Sequence, residues 1–256
     1  MRKTQSVLLG LREKLEKTFQ GMLDDYLSKF KNKQGIFQGW NKTYTPMEGF
    51  ADDPTKRSFQ RVSGTVSEQL EWFKENTEDY FKTVLSIEKT NSTGIKAELF
   101  VEGVSWGEYT VLELLRLKTI LDGKLKAIIG ELPIRDEKVI WTKTTKDYYG
   151  DRNVWETPIV SGFTKTTLKR TEIVHDPHIK DAPNRPPVSV QIELQVNTGE
   201  FEEQRFSGEI TMLERAKIIA RYDKVYTGII EALETANSVE TVESDLGTKF
   251  INYLFK

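Results

Sequence analysis

Nine consecutive residues in the second half of the chain alternate strictly between apolar and polar side chains: Val188-Ser189-Val190-Gln191-Ile192-Glu193-Leu194-Gln195-Val196. Successive side chains of a β-strand point to opposite faces, so this alternation predicts a strand with one apolar face. Asn197-Thr198-Gly199 is a predicted turn, and residues 200–207 are a predicted return strand. The threonine-rich run from Phe163 to Val174 suits a further strand.

Two shorter β-like segments, 138–142 and 153–156, flank a predicted turn at Tyr149-Gly150-Asp151. Residues 175–187 cannot be regular, because four of the eight prolines of the chain lie there. The sequence therefore places an antiparallel sheet between residues 138 and 207.

Helices flank this β-rich region on both sides. Over residues 1–33, an apolar residue recurs every three or four positions: Leu8, Leu11, Leu15, Phe19, Met22, Tyr26 and Phe30. Such a stripe predicts a helix roughly 45 Å long that needs a helical partner, from this chain or from a second copy. Further helices are predicted over 65–89, 108–130, 210–237 and 244–255, with a hairpin over 95–106. The third is apolar almost all round, which predicts burial on more than one side.

This order predicts an α+β fold, with long amphipathic helices packed against an antiparallel β-sheet. We expect one domain over 1–256, with a helical part over 1–90 and a mixed part over 91–256. Residues 34–64 contain many glycines and prolines and are interpreted as a loop that carries Trp40 and Tyr44. So long a loop is either a functional lid, a contact across a subunit boundary, or an ordered surface loop held by its aromatic residues.

The composition excludes several classes of protein. The chain has 256 residues, 37 basic and 39 acidic, which gives a formal charge of −2. This balance excludes a globally basic nucleic-acid binder, and no apolar run is long enough to span a bilayer. There is no cysteine, so no disulfide, thiolate zinc site or cysteine nucleophile is possible. We expect a cytoplasmic protein that needs neither a metal nor a cofactor.

The charge is distributed unevenly along the chain. Residues 138–170 carry seven basic and three acidic side chains, a local charge of +4, whereas residues 209–245 carry four basic and eight acidic ones. Aromatic residues are interleaved with the basic ones, a pattern that suits a phosphate and a base together. The alternative is a solvated strand face with its aromatics in the core. The candidate ligand-binding residues are Trp40, Tyr44, Trp141, Lys143, Trp155, Lys165, Lys169, Arg170, His175, His178 and Arg185.

The two histidines, His175 and His178, lie three residues apart in the proline-rich segment. With neighbouring carboxylates they could bind a divalent metal, but no second cluster completes such a site. They are interpreted instead as hydrogen-bonding loop residues or as contacts to an anion. Glycine-rich phosphate loops, nucleophile elbows and His-Glu-x-x-His helices are absent from the sequence, which favours a non-enzymatic protein.

Several short stretches, in order, resemble an uncharacterised family of bacterial and phage proteins of about this length. They are Thr43-Tyr44-Thr45-Pro46, residues 97–103, Glu131-Leu132-Pro133, residues 187–191, Phe206-Ser207-Gly208, residues 234–237 and Tyr253-Leu254-Phe255. Relatives often carry a histidine where this chain has Arg185. The resemblance implies a shared fold and a phage context, and it supplies no activity and no catalytic residues.

Three functions are compatible with these features. The first is a non-enzymatic homo-oligomer that binds an anionic, nucleotide-like small molecule and, in a phage, sequesters a signalling nucleotide from host defence. The second is a scaffold protein whose helices bind a protein partner. The third is an enzyme acting on a phosphorylated small molecule, with His175 and His178 as acid–base groups.

Overall fold

The computed structural model describes residues 5–91, 94–174 and 188–237. These residues form five α-helices: α1 (Gln5–Asn32), α2 (Val66–Asn91), α3 (Val111–Ile120), α4 (Lys126–Gly130) and α5 (Met212–Asn237). They form eight strands: β1 (Gln38–Pro46), β2 (Ser58–Gln60), β3 (Lys96–Val101), β4 (Val104–Thr110), β5 (Thr142–Lys143), β6 (Trp155–Glu156), β7 (Val160–Val174) and β8 (Val188–Ser207). All strand pairs are antiparallel, so the predicted α+β class is confirmed.

Contacts divide the chain into two compact units. Unit 1 comprises residues 1–34, 68–134 and 210–256, and unit 2 comprises residues 35–67 and 135–209. The expected single domain over 1–256 stays a prediction. The predicted last helix, 244–255, lies outside the described residues. No helix in the described part of the chain combines the length and apolarity that crossing a bilayer requires.

In unit 1, the apolar stripe of α1 is covered by α2 of the same chain. The ring of Phe19 stacks on that of Tyr80 with centroids 4.1 Å apart, and the Tyr26 hydroxyl donates a hydrogen bond to the Gln69 carbonyl over 2.7 Å. Phe19, Tyr26 and Phe30 are at most 1% exposed. The helical partner that the stripe requires is therefore internal, and the stripe gives no support to an oligomer.

The β3–β4 hairpin packs its inner face on α3 and α5. Ala97, Leu99 and Val101 alternate into a core shared with Leu114 and Ile229. The third predicted helix is divided, because α3 passes through a π-helical turn (Leu121–Leu125) into α4, and the backbone leaves helical geometry at Gly123. Leu114 and Leu121 of this stretch are buried, whereas one face stays open, since Leu112 and Leu115 are 43% and 44% exposed.

Unit 2 is organised around β8, which pairs with three strands. The order in the main path is β2-β1-β8-β6-β5, and β7 pairs along the other edge of β8. The prediction of a loop over 34–64 is wrong for β1 and β2. Glycine, asparagine and proline weaken the local strand pattern of β1, but its nine residues pair with residues 199–207 of β8.

The predicted turn at Asn197–Gly199 is also wrong, because these residues continue β8. Thr164 pairs with Gly199 and Lys165 with Asn197, which leaves Thr198 as one extra residue in a β-bulge. The Thr198 hydroxyl donates to the Thr164 carbonyl over 3.2 Å, and the Thr198 carbonyl accepts hydrogen bonds from the Tyr44 hydroxyl and the Met47 amide, each at 3.0 Å. These distant partners hold the residue in the sheet.

Beyond the end of β1, strands β7 and β8 continue as a two-stranded ribbon, which we call the β-arm (residues 165–174 and 188–197). No other described strand pairs with either edge of it. One of its faces carries an apolar row of five residues: Leu168, Val190, Ile192, Leu194 and Val196. Three members of this row, Leu168, Val190 and Leu194, are 44–47% exposed.

Candidate functional site

The central part of one sheet face in unit 2 is open, although both of its ends are covered. Residues directly opposite one another in an antiparallel pair share a face. Trp40 stands opposite Arg205, and Lys42 stands opposite Glu203. Side chains on one face recur every second residue, so Phe201, Glu203 and Arg205 form one row on this face.

At one end, the segment between β1 and β2 covers Tyr44. The Lys56 ammonium lies 4.6 Å from the centre of the Tyr44 ring, and the Arg57 Nε donates to the Tyr44 carbonyl over 3.1 Å. Asp52 pairs with both terminal nitrogens of Arg57, at 2.8 and 2.9 Å. Tyr44 is only 2% exposed, so it supports the sheet and presents no surface to a ligand.

At the other end, buried polar groups cover the row. Glu209 accepts hydrogen bonds from the Gln38 amide at 2.8 Å and from the Ser207 hydroxyl at 2.9 Å. The Arg135 guanidinium lies 4.2 Å from the centre of the Trp155 ring. Burial raises the pKa of Glu209 above its ordinary value, although these hydrogen bonds and the charge of Arg135 oppose the shift.

Between these two covered ends lies a cleft of about 490 Å³, which we call the sheet-face cleft. Its apolar walls are Val139, Ile140, Pro158, Val160 and Phe201. Its charged side chains are Lys138, Glu203 and Arg205. A mostly apolar cleft with a few converging charges is the usual form of a small-molecule site.

Phe201 is held in the cleft by its neighbours. A side chain at Gly162 would come within 2.7 Å of the Phe201 ring, so a glycine is needed opposite this phenylalanine. The Lys42 ammonium lies 4.9 Å from the centre of the same ring. This arrangement places a cation beside an aromatic wall, where it is available to an anion.

Arg205 is the charged group of the cleft whose geometry best suits an anion. Its Nε donates to Glu203 over 2.9 Å, and its side chain is 66% exposed. Among the described residues, nothing accepts a hydrogen bond from its two terminal nitrogens. A largely exposed guanidinium whose terminal nitrogens have no acceptor among the described residues is suited to a phosphate or carboxylate.

The residues predicted from the sequence are distributed over several places. Trp40 stands opposite Arg205, Trp155 stands opposite Ser207 and Lys143 opposite Trp155, so these three lie on the face of the sheet-face cleft. Lys143 donates to the Asn153 side chain at 3.0 Å, and Trp155 is covered by Arg135. The Trp141 indole N–H donates to the Asp136 carbonyl over 2.8 Å.

The remaining predicted residues belong to the β-arm or lie outside the described part of the chain. Lys165, Lys169 and Arg170 lie on the arm, where Lys169 pairs with Glu193 at 3.2 Å and Arg170 with Glu172 at 3.7 Å. His175, His178 and Arg185 lie outside the described residues. The structure therefore brings Trp40, Lys143 and Trp155 to the cleft face and places the arm cations elsewhere.

A second cleft, of about 460 Å³, lies between the β3–β4 hairpin and α5 in unit 1. Its lining includes Glu102, Asp223 and Glu231 but only one cation, Lys224, which is paired with Glu102. This charge balance disfavours an anion. Within the described residues, no group of three or more metal-ligating side chains is placed to hold an ion.

Searches of curated proteins and of solved structures found no match. A family model does match the chain, over residues 2–256. This result confirms the resemblance to an uncharacterised family and carries no activity with it. Since the match spans almost every residue, the chain belongs to the family of unknown function DUF7873.

Proposed function

We propose that this protein binds an anionic, nucleotide-like small molecule in the sheet-face cleft without chemically transforming it. The observation that carries the proposal is the exposed guanidinium of Arg205 beside an apolar wall. A phosphate would take the terminal nitrogens of Arg205, and a planar base would lie on Val160 and Ile140.

The charges near the cleft favour an anion. Lys42, Lys138 and Arg205 contribute three positive charges, against one negative charge from Glu203. Trp40, opposite Arg205 and 37% exposed, adds an aromatic surface on the same face. Stacking on an aromatic side chain typically contributes about 1–3 kcal/mol per base. A nucleotide would use both kinds of group, whereas an inorganic anion would use only the cations.

Isothermal titration calorimetry of the full chain against a nucleotide panel tests this proposal. The panel includes mononucleotides, cyclic dinucleotides and ADP-ribose derivatives. We expect saturable binding of at least one of them. Silence across the whole panel would contradict the proposal.

Two variants locate the site. Arg205→Ala removes a charge-assisted contact of about 1.5–3 kcal/mol, so it is expected to weaken binding by about 10- to 150-fold. Lys165→Ala removes the same charge from an exposed position in the same unit that does not line the cleft, and it is expected to leave the affinity unchanged. Equal losses in both variants would show that only general charge attracts the ligand.

Mass spectrometry of the ligand separates the proposal from an enzyme. After prolonged incubation with the protein, the ligand is expected to be recovered unchanged. A converted product that disappears in the His175→Ala and His178→Ala variants would favour the enzymatic alternative. A protein that binds a signalling nucleotide and returns it intact would act by sequestration, the role that a phage context suggests.

A further inference from the structure

The β-arm has an apolar face that nothing in the described part of unit 2 covers. Its strands run for about ten residue pairs, roughly 30 Å, past the last residue of β1. A two-stranded ribbon alone in water is at best marginally stable, and three or more strands or a covering layer are usually needed. The exposed row therefore indicates a missing partner.

We propose that the apolar face of the β-arm packs face to face against the same face of a second copy of this chain. The twofold axis lies in the interface, perpendicular to the strands, at the level of the paired residues Thr171 and Gln191. This inference does not rest on the proposed ligand site.

The register of the arm fits this symmetry. An axis at Thr171 and Gln191 places β8 antiparallel to β8 of the second copy, so Ile192 meets the second copy's Val190 and apolar side chains meet each other. It also places β7 against β7, so Arg170 meets Glu172 of the second copy, and Glu172 meets Arg170. Arg170 is paired with Ile192 and Glu172 with Val190 within the arm, so all four lie on the apolar face.

The two charges are complementary across the axis and are weakly engaged within one chain. Arg170 and Glu172 are 3.7 Å apart, and their side chains are 70% and 46% exposed. A single exposed pair of this kind contributes little to stability. Under twofold symmetry the same residues form two ion pairs beside the contacts of Ile192 with Val190 at the axis, which is the self-complementary pattern of an isologous interface. A partner of different sequence would need its own matching arrangement of one acidic, one basic and several apolar residues.

Sedimentation velocity of the full chain at micromolar concentration tests the proposal with a matched pair of variants. Leu168 and Leu194 stand opposite each other on the apolar face, and Thr167 and Gln195 stand opposite each other on the polar face. We expect a dimer for the wild type and for Thr167→Glu with Gln195→Glu, and a monomer for Leu168→Glu with Leu194→Glu. Circular dichroism verifies that both double variants are folded.

Charge reversal tests whether the occupant is a second copy. Arg170→Glu or Glu172→Arg alone brings like charges together at two symmetric positions, and each is expected to weaken the dimer by about 10-fold or more. The double variant restores opposite charges and is expected to recover wild-type association. A monomeric wild type, a dimer that survives Leu168→Glu with Leu194→Glu, or a double reversal that does not recover association would each overturn the proposal.

Discussion

The hydroxyl of Tyr149 is expected to stabilise unit 2 through one buried hydrogen bond. The Val62 amide donates to this hydroxyl over 3.1 Å, and the two residues are 0% and 2% exposed. Tyr149→Phe keeps the ring, which packs on Phe206 with centroids 5.4 Å apart, but leaves the buried amide without its acceptor. An unsatisfied buried donor costs about 1–3 kcal/mol.

A urea titration followed by circular dichroism measures this cost as a loss of about 1–3 kcal/mol in the free energy of unfolding. In a thermal scan, each kcal/mol lost lowers the melting temperature by about 2–4 °C for a chain of this size. The m-value is expected to stay constant, because the change exposes no new surface.

Tyr148→Phe provides the matched control. Tyr148 is adjacent and 38% exposed, and its hydroxyl has no hydrogen-bond partner among the described residues. We expect its free energy of unfolding to change by less than about 0.5 kcal/mol. Equal stabilities for the two variants would refute the reasoning, since the Val62 amide would then not depend on Tyr149.

Three further substitutions test the cleft, a buried acid and the helical core. Glu203→Gln removes a negative charge that competes with an anion for Arg205. At about 6 Å and an effective dielectric constant of about 50, the repulsion between this charge and a bound anion is about 1 kcal/mol. Calorimetry should therefore show about 5-fold tighter binding, and weaker binding would contradict the site. Burial raises the pKa of Glu209 above 4.5. Between pH 4.5 and the raised pKa, the folded state therefore binds more protons than the unfolded state. The free energy of unfolding consequently falls as the pH rises through that window. Urea midpoints of Glu209→Gln should lack this fall, and an unchanged pH profile would assign it to another group. Phe19→Ala removes a ring stacked on Tyr80 and should cost about 3–5 kcal/mol by urea titration, whereas a cost below about 1 kcal/mol would show that α2 does not cover the stripe.

The helices were predictable because each apolar pattern keeps the helical period over many turns. The stripe of α1 predicts a helix and a need for cover, but it does not say which element supplies the cover. Whether Phe19 meets α2 or a second copy depends on how the chain returns, and local periodicity contains no such information. The structure answers this question with the Phe19–Tyr80 stack.

The errors in the β-region have one physical origin, which is pairing between residues far apart in the chain. The Asn197-Thr198-Gly199 sequence has a strong local preference for a turn. The hydrogen bonds of Thr198 with Thr164 and Tyr44 override that preference and keep β8 continuous. The same pairing makes a strand of residues 38–46, whose own sequence only weakly favours one.

The candidate site was only partly predictable for the same reason. Trp40, Lys143 and Trp155 belong to the cleft face, but Phe201 and Arg205 lie in a run with three glutamates that hides their common face. A usable signal was present in the alternation of residues 201–206, where Gln204 and Phe206 point to the buried face and Phe201, Glu203 and Arg205 to the other. Only the pairing of the strands brings these separated side chains together in one cleft.

The sheet-face cleft and the dimer face of the β-arm are expected to act independently. Phe201 and Leu194 are seven residues apart on β8, about 23 Å along an extended strand, which exceeds the screening length of about 8 Å at physiological salt. Leu168→Glu with Leu194→Glu should therefore leave the calorimetric affinity per chain unchanged, and Arg205→Ala should leave the sedimentation coefficient unchanged. If the arm variant instead loses affinity by about 10-fold or more, the second copy contributes to the cleft and the two surfaces form one site.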